Sequence, residues 1–259
     1  MFTDPRPTPY DLRFRILGMP VRIHPLFWLI ALFLAPRWEG VDPVPILLCW
    51  IAAMLTGILV HELGHAVVQK YVYGAKPWIV LYAFGGLACC DTWAWRRQPG
   101  TWGSILISLA GPLAGFLLVG LLVCIAFVSG TPVFLRFIHF FDVPLIPIPS
   151  FAFPIGDYAS LSIGFLVLIS VFWGVFNLLP IYPLDGGNIC RELCLWFSSR
   201  RGIVVSLWIS VFTAGAMGVY FFSQWIAAEE KTFPWNTILM AYLTFQSWRM
   251  LEYHGRGYR

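Results

Sequence analysis

Long apolar runs separated by short polar segments dominate the pattern of residues along the chain. A helix that crosses a bilayer needs about 17–25 consecutive, mainly apolar residues. Runs of this kind, the first of them short, lie at 21–35, 44–70, 104–129, 158–179, 203–222 and 235–252. The pattern therefore predicts an all-α polytopic membrane protein with about six transmembrane helices.

The composition agrees with this class of protein. Of the 259 residues, 59% are hydrophobic and 12% are charged, whereas about 25% of the residues in a soluble domain are charged. We find no internal repeat, low-complexity segment or linker that would divide the chain. We therefore expect residues 1–259 to form a single membrane-embedded domain.

Lys and Arg concentrate in the segments that six spans would leave on one side of the membrane. Those segments hold 14 of the 17 basic residues, and the other side keeps Arg37, Arg136 and Lys231. Because cytoplasmic loops are enriched in Lys and Arg, we expect both termini in the cytoplasm. Topology also accounts for the net charge of +4, so the expected partner is the lipid bilayer and not nucleic acid.

Two segments interrupt the helical pattern. Residues 78–90 are apolar but too short to cross, and Gly85-Gly86 separates two runs rich in β-forming residues, which predicts a short membrane-dipping β-hairpin. Residues 177–187 contain two prolines and two glycines, which must end or kink the fourth span. Irregular backbone at membrane depth survives where it is buried in protein or lines a wet cavity.

One cluster of ionisable residues lies inside the apolar run 44–70, in the sequence His61-Glu62-Leu63-Gly64-His65. On a helix, positions i and i+4 share a face, so His61 and His65 can bind one zinc ion while Glu62 accepts a proton from its water. Ionisable groups in a membrane span are costly and usually functional. The alternative is a hydrogen-bonded polar cluster that joins helices.

A catalytic zinc needs a third protein ligand and an open position for water. Asp185 has the most apolar surroundings of the remaining acidic residues and is flanked by helix breakers. An Asp before Gly-Gly is also typical of a turn residue or a helix cap. The predicted topology places His61, His65 and Asp185 in the cytoplasmic half of the membrane.

Small residues lie at a matching depth in the next span. Gly111, Ala114 and Gly115 belong to the sequence AGPLAG, and small side chains let helix backbones approach closely. Ordinary helix packing is the role that we expect for them.

These motifs, in this order, resemble the site-2 protease family of intramembrane zinc metalloproteases. The resemblance is carried by HELGH, by Phe84-Gly85-Gly86, by Ala110-Gly111-Pro112-Leu113-Ala114 and by the segment from Asn177 to Pro183-Leu184-Asp185-Gly186-Gly187. It covers about residues 45–195, the expected catalytic core. No appended soluble domain of the PDZ or CBS type is apparent.

The resemblance implies a role for each motif residue. His61, His65 and Asp185 would bind one Zn²⁺ per chain, and Glu62 would be the general base. Asn177 would help to hold the substrate or the oxyanion, although its residue type alone indicates a helix-terminating or interhelical hydrogen-bonding role. The hairpin with Gly85 and Gly86 would offer an edge to an unwound substrate strand.

We therefore expect the chain to be an intramembrane zinc metalloendopeptidase that acts in regulated intramembrane proteolysis. It would cleave a transmembrane substrate protein in a prokaryotic cell (inner) membrane. A membrane zinc protease that processes prenylated proteins would instead need a downstream glutamate as its third ligand, with Glu192 as the least implausible candidate. A non-catalytic membrane binding protein or a metal transporter on a protease scaffold is the remaining alternative.

Overall fold

A computed structural model describes residues 5–36, 42–83, 85–91, 95–131, 133–140, 143–151, 157–228 and 233–256. The helices are α1 Pro25–Phe33, α2 Pro43–Val67, α3 Thr101–Val128, α4 Asp157–Asn177, α5 Asp185–Phe197, α6 Gly202–Ala227 and α7 Trp235–Arg256. A π-helical turn over Val68–Val72 continues α2. The strands are β1 Leu12–Ile16, β2 Met19–Ile23, β3 Trp78–Tyr82, β4 Gly85–Cys89, β5 Val133–Phe140 and β6 Val143–Phe151.

The chain divides into two compact units, which we describe separately. Thr3–Gln98 and Ala110–Phe176 form the first, here called the sheet unit. Pro99–Leu109 and Asn177–Arg259 belong to the second, here called the C-terminal unit. In the C-terminal unit, α6 packs against both α5 and α7.

A four-stranded sheet with the order β1-β2-β3-β4 organises the sheet unit. The antiparallel pair β3–β4 is the hairpin predicted from residues 78–90; Phe84, at its turn, lies outside the described residues. Strands β1 and β2, which pair antiparallel, were not predicted from the sequence. Their signal is an alternation of arginine with apolar residues, such as Arg13, Phe14 and Arg15.

Strands β2 and β3 are parallel neighbours, with Val21 opposite Ile79 and Ile23 opposite Leu81. The chain between them contains α1 and α2, because parallel strands need a long crossover connection. One face of β2 and β3 is buried against these helices and α4. This core contains Met19, Val21, Ile23, Phe27, Ile58, Ile79, Leu81 and Phe165.

Four helical segments in the described residues are long and apolar enough to cross a membrane. They are Pro43–Val72, Thr101–Val128, Tyr158–Asn177 and Gly202–Ala227, matching four of the six predicted spans. The count of six is not confirmed. The predicted span at 21–35 is the end of β2 followed by the nine-residue helix α1, about 13 Å long. The predicted span at 235–252 lies in helix α7, which is less apolar than the four spanning segments.

Helices α2 and α3 touch at positions without large side chains. A Cβ atom added to Gly64 would overlap the carbonyl oxygen of Ala110 and would lie 2.8 Å from the Cβ of Ala114. The predicted packing of helices through small residues is therefore observed at Ala114. The contact also brings the α3 backbone close to the turn of α2 that carries the histidines.

We predict that Gly64→Ala lowers the thermal unfolding midpoint in detergent, because the added methyl group forces α2 and α3 apart at a cost of about 1–3 kcal/mol. The matched control is Gly120→Ala on α3, where an added Cβ meets nothing within 4 Å. It should leave the midpoint unchanged or raise it, since Ala favours helix by up to about 1 kcal/mol over Gly. Equal midpoints for the two variants would contradict the close contact.

Candidate metal centre

Helix α2 carries His61, Glu62 and His65. All three side chains are buried, with residue exposures of 3%, 4% and 7%. The run from Pro43 is apolar, and Asp42 caps the helix by accepting a hydrogen bond from the Val44 N–H. The three ionisable side chains lie in the last two turns of α2, and the π-helical turn to Val72 continues the helix beyond them.

The spacing of the two histidines brings their rings together. The ring centroids of His61 and His65 are 4.9 Å apart, and their Nε2 atoms are 3.2 Å apart. Two nitrogen ligands at about 2.0–2.1 Å from a tetrahedral zinc ion are about 3.3 Å apart. The two Nε2 atoms thus have the separation that one zinc ion requires.

Asp185 joins His61 and His65 in the group of described residues that could provide ligands for one metal ion. Two imidazoles and a carboxylate are a donor set of the kind that catalytic zinc uses. This group could hold a metal ion, and Glu192, the alternative third ligand, does not belong to it.

Gly111 of α3 lies directly against the two ligand nitrogens. A Cβ atom added there would overlap His65 Nε2 and would lie 2.8 Å from His61 Nε2. Ordinary helix packing was the role predicted for Gly111, and this contact with the imidazoles was not predicted. Because Gly111 has no side chain, space remains beside the two imidazoles. A metal ion bound to the histidines would need this space.

The β4 strand lies against the side chain of Glu62. A Cβ atom added to Gly86 would be 2.6 Å from Cδ and 2.7 Å from Oε1 of Glu62. A Cβ at Gly85 would instead meet the Trp173 ring at 2.8 Å. Gly86 thus lets the β4 backbone approach the Glu62 carboxylate, and Gly85 lets it approach the Trp173 indole.

Asn177 is the last residue of α4 and is buried, with an exposure of 7%. Its residue type fits the end of a helix that runs into Pro180 and Pro183. Its role toward a substrate remains a prediction, as do the substrate-binding roles of Gly85 and Gly86.

Comparison with known proteins agrees with this arrangement. Peptidase family M50 matches residues 49–219, well over half of the chain. Zinc metalloprotease MJ0392 of Methanocaldococcus jannaschii is 29% identical over 189 residues, covering 71% of this chain and 45% of that protein. Stage IV sporulation protein FB of Bacillus subtilis is 27% identical over 186 residues, covering 71% and 50%. The chain spans about half the length of these curated relatives.

A solved structure shares the fold. The site-2 protease from Methanocaldococcus jannaschii matches with a TM-score of 0.53 and 23% identity, covering 93% of this chain and 95% of that one. The family match and the zinc metalloprotease relatives, together with this shared fold, confirm the resemblance that HELGH and the distal Asp185 indicate, and the chain belongs to Peptidase family M50.

Proposed function

We propose that the chain is an intramembrane zinc metalloendopeptidase that hydrolyses a peptide bond in or near a transmembrane helix of a substrate protein. The observation that carries this proposal is the grouping of His61, His65 and Asp185, with both histidines on a helix apolar enough to span a bilayer. Membership of a family of zinc metalloproteases supports it. We place the site in the cytoplasmic half of a prokaryotic cell membrane and the two termini in the cytoplasm.

His61, His65 and Asp185 would hold one zinc ion, with water as a further ligand. Bound zinc supplies a water molecule of lowered pKa and polarises the scissile carbonyl group. The space beside Gly111 supports this role, because it lies at the two Nε2 atoms that would face the ion.

Glu62 is the general base of the proposed reaction. It follows His61 in the chain, so its carboxylate can accept a proton from the water and return that proton to the leaving amine. Its Oε1 faces the backbone of Gly86. A substrate strand that extends along β4 would therefore pass close to the base.

The β4 strand provides the proposed substrate contact. A transmembrane helix hides its peptide groups in internal hydrogen bonds and must unwind before it can be cut. An edge strand replaces the lost bonds by pairing with an extended segment. Strand β4 ends the described four-stranded sheet, so Gly85 and Gly86 lie where such a segment would bind. Asn177 would contact the substrate or the oxyanion.

Two other functions are not favoured. A protease for prenylated proteins would use a downstream glutamate, but the group that could hold a metal contains Asp185. A transporter or a non-catalytic binding protein would have no use for an intact Glu62 beside two metal-binding histidines.

The proposal is tested by purified Glu62→Gln and Asp185→Ala variants. Glu62→Gln should retain zinc and cleave a model transmembrane peptide at least about 10²–10⁴-fold more slowly, because only the base is lost. Asp185→Ala should lose both zinc and activity, because a ligand is removed. Zinc content by elemental analysis and cleavage by mass spectrometry are the measurements. Normal turnover by Glu62→Gln would remove Glu62 from the base role.

A second prediction concerns the space beside the imidazoles. Gly111→Ala should weaken zinc binding about 10–100-fold, because overpacking of this size costs about 1–3 kcal/mol. The matched control is Gly115→Ala, one turn further along α3, where an added Cβ would lie 3.4 Å from the Ser170 carbonyl oxygen, a distance that small shifts can accommodate. Zinc affinity is measured by competition with a chromogenic chelator. Equal affinities in the two variants would show that position 111 does not border the metal.

A third prediction addresses the substrate strand. Ala88→Pro on β4 should reduce cleavage roughly 2–10-fold while zinc stays bound. In the antiparallel β3–β4 register the Ala88 N–H points to the free edge, and proline removes this donor, worth about 0.5–1.5 kcal/mol. Arg15→Pro on β1, at the other edge of the same sheet, is the control and should cleave normally. If Ala88→Pro cleaves as fast as the wild type, strand addition at β4 is wrong.

A further inference from the structure

The segment between α4 and α5 leads directly into Asp185, the first residue of α5, and its backbone is held by side chains from distant helices. The Tyr182 N–H donates a hydrogen bond of 3.0 Å to Ser210 Oγ on α6. The Ser247 hydroxyl on α7 donates a hydrogen bond of 3.1 Å to the Tyr182 carbonyl oxygen. Both backbone polar groups of one residue in an irregular segment are thus satisfied by serines that lie 28 and 65 residues away along the chain.

Both serines are buried, Ser210 with an exposure of 1% and Ser247 with 0%. The Ser210 hydroxyl donates its proton to the Ser206 carbonyl oxygen at 2.9 Å. A hydroxyl has one proton and two acceptor lone pairs, so this bond orients Ser210 Oγ to accept from Tyr182. The arrangement is a connected hydrogen-bond network in which every donor has a defined direction.

These bonds differ from the usual behaviour of serine and threonine in helices. Ser223 on α6 donates to Tyr220 O, and Thr244 on α7 donates to Met240 O. Such bonds stay within one helix and are the common pattern for these residues. The bonds of Ser210 and Ser247 to Tyr182 instead connect two helices to one loop residue.

The position of Tyr182 is transmitted to Asp185 by backbone contact. A Cβ atom added to Gly187 would lie 2.6 Å from the Tyr182 nitrogen, and one added to Gly186 would overlap the carbonyl oxygens of Leu178 and Leu179. The first turn of α5 therefore rests directly on the preceding segment. The Leu184 N–H also donates to Ile181 O at 2.8 Å, so the chain has little freedom between Tyr182 and Asp185.

We infer that Ser210 and Ser247 are positioning residues for the metal centre, which hold the Tyr182 backbone and through it the carboxylate of Asp185. The inference rests on the proposed role of Asp185 as a zinc ligand. It gives the pair of helices α6 and α7 a function: they hold the ligand loop in place. Ser247 lies outside residues 49–219, the part of the chain that the family matches. The family match therefore does not include the residue that donates to the Tyr182 carbonyl oxygen.

The test compares Ser210→Ala and Ser247→Ala with two matched controls, Ser223→Ala on α6 and Thr244→Val on α7. Each control removes a hydroxyl from the same helix without touching Tyr182. In full-length protein in detergent, well below the unfolding midpoint, zinc affinity is measured by competition with a chromogenic chelator. Loss of an outer contact to a metal ligand typically costs about 10–100-fold in affinity, and we expect such a loss for the two serine variants alone.

A second measurement uses the metal-free protein. Hydrogen exchange of the backbone amides in residues 178–186 should be faster in Ser210→Ala and Ser247→Ala than in the wild type, and unchanged in both controls. The exchange rates report how firmly the serines hold this segment, independently of zinc binding.

The outcomes separate the inference from the proposed function. If the wild type binds zinc, Asp185→Ala does not, and both serine variants keep wild-type affinity, the positioning role is wrong. The same holds if the controls lose zinc as strongly as the serine variants. If Asp185→Ala binds zinc as tightly as the wild type, the proposed ligand set fails instead, and the positioning of a zinc ligand fails with it.

Discussion

The close approach of backbone to three buried ionisable side chains is the constraint on which the site depends. His61, Glu62 and His65 lie on one turn of an apolar helix, where unsatisfied polar groups are costly. Gly86 and Gly111 bring β4 and α3 within contact of these side chains. A methyl group at either glycine would occupy the volume in which the proposed chemistry takes place, so the lack of side chains there is as much a part of the site as the ligands.

The same principle operates around Asp185, with different partners. Gly186 and Gly187 let α5 begin directly on the backbone of the preceding turn, and Ser210 and Ser247 hold that turn through Tyr182. A single carboxylate at the first residue of a helix that follows an irregular segment would otherwise have a wide range of positions. Rigid contacts from glycine backbone and buried hydroxyl groups reduce that range, which is what a metal ligand requires.

The apolar pattern predicted the four helices that can span a membrane, since hydropathy is a local property of the chain. The i, i+4 spacing predicted the histidine pair for the same reason, and Gly85-Gly86 predicted the β3–β4 hairpin. The β1–β2 hairpin is local, but it was missed because the apolar run 21–35, which begins inside β2, was interpreted as a helical span. The pairing of β2 with β3 joins residues that are far apart in sequence, which a local pattern does not show. The contact of Gly111 and the bonds of Ser247 were also beyond prediction, because they depend on how helices approach one another.

The parallel pairing of β2 with β3 decides where the basic residues of the first two strands lie. Hydrogen-bonded strands run side by side, so the chain that leaves β2 at Ile23 returns to the same sheet at Trp78. Arg13 and Arg22 therefore belong to the same sheet as the strand that begins two residues after Lys76. Strand pairing alone keeps these three positive charges in one unit, whatever number of helices crosses the membrane.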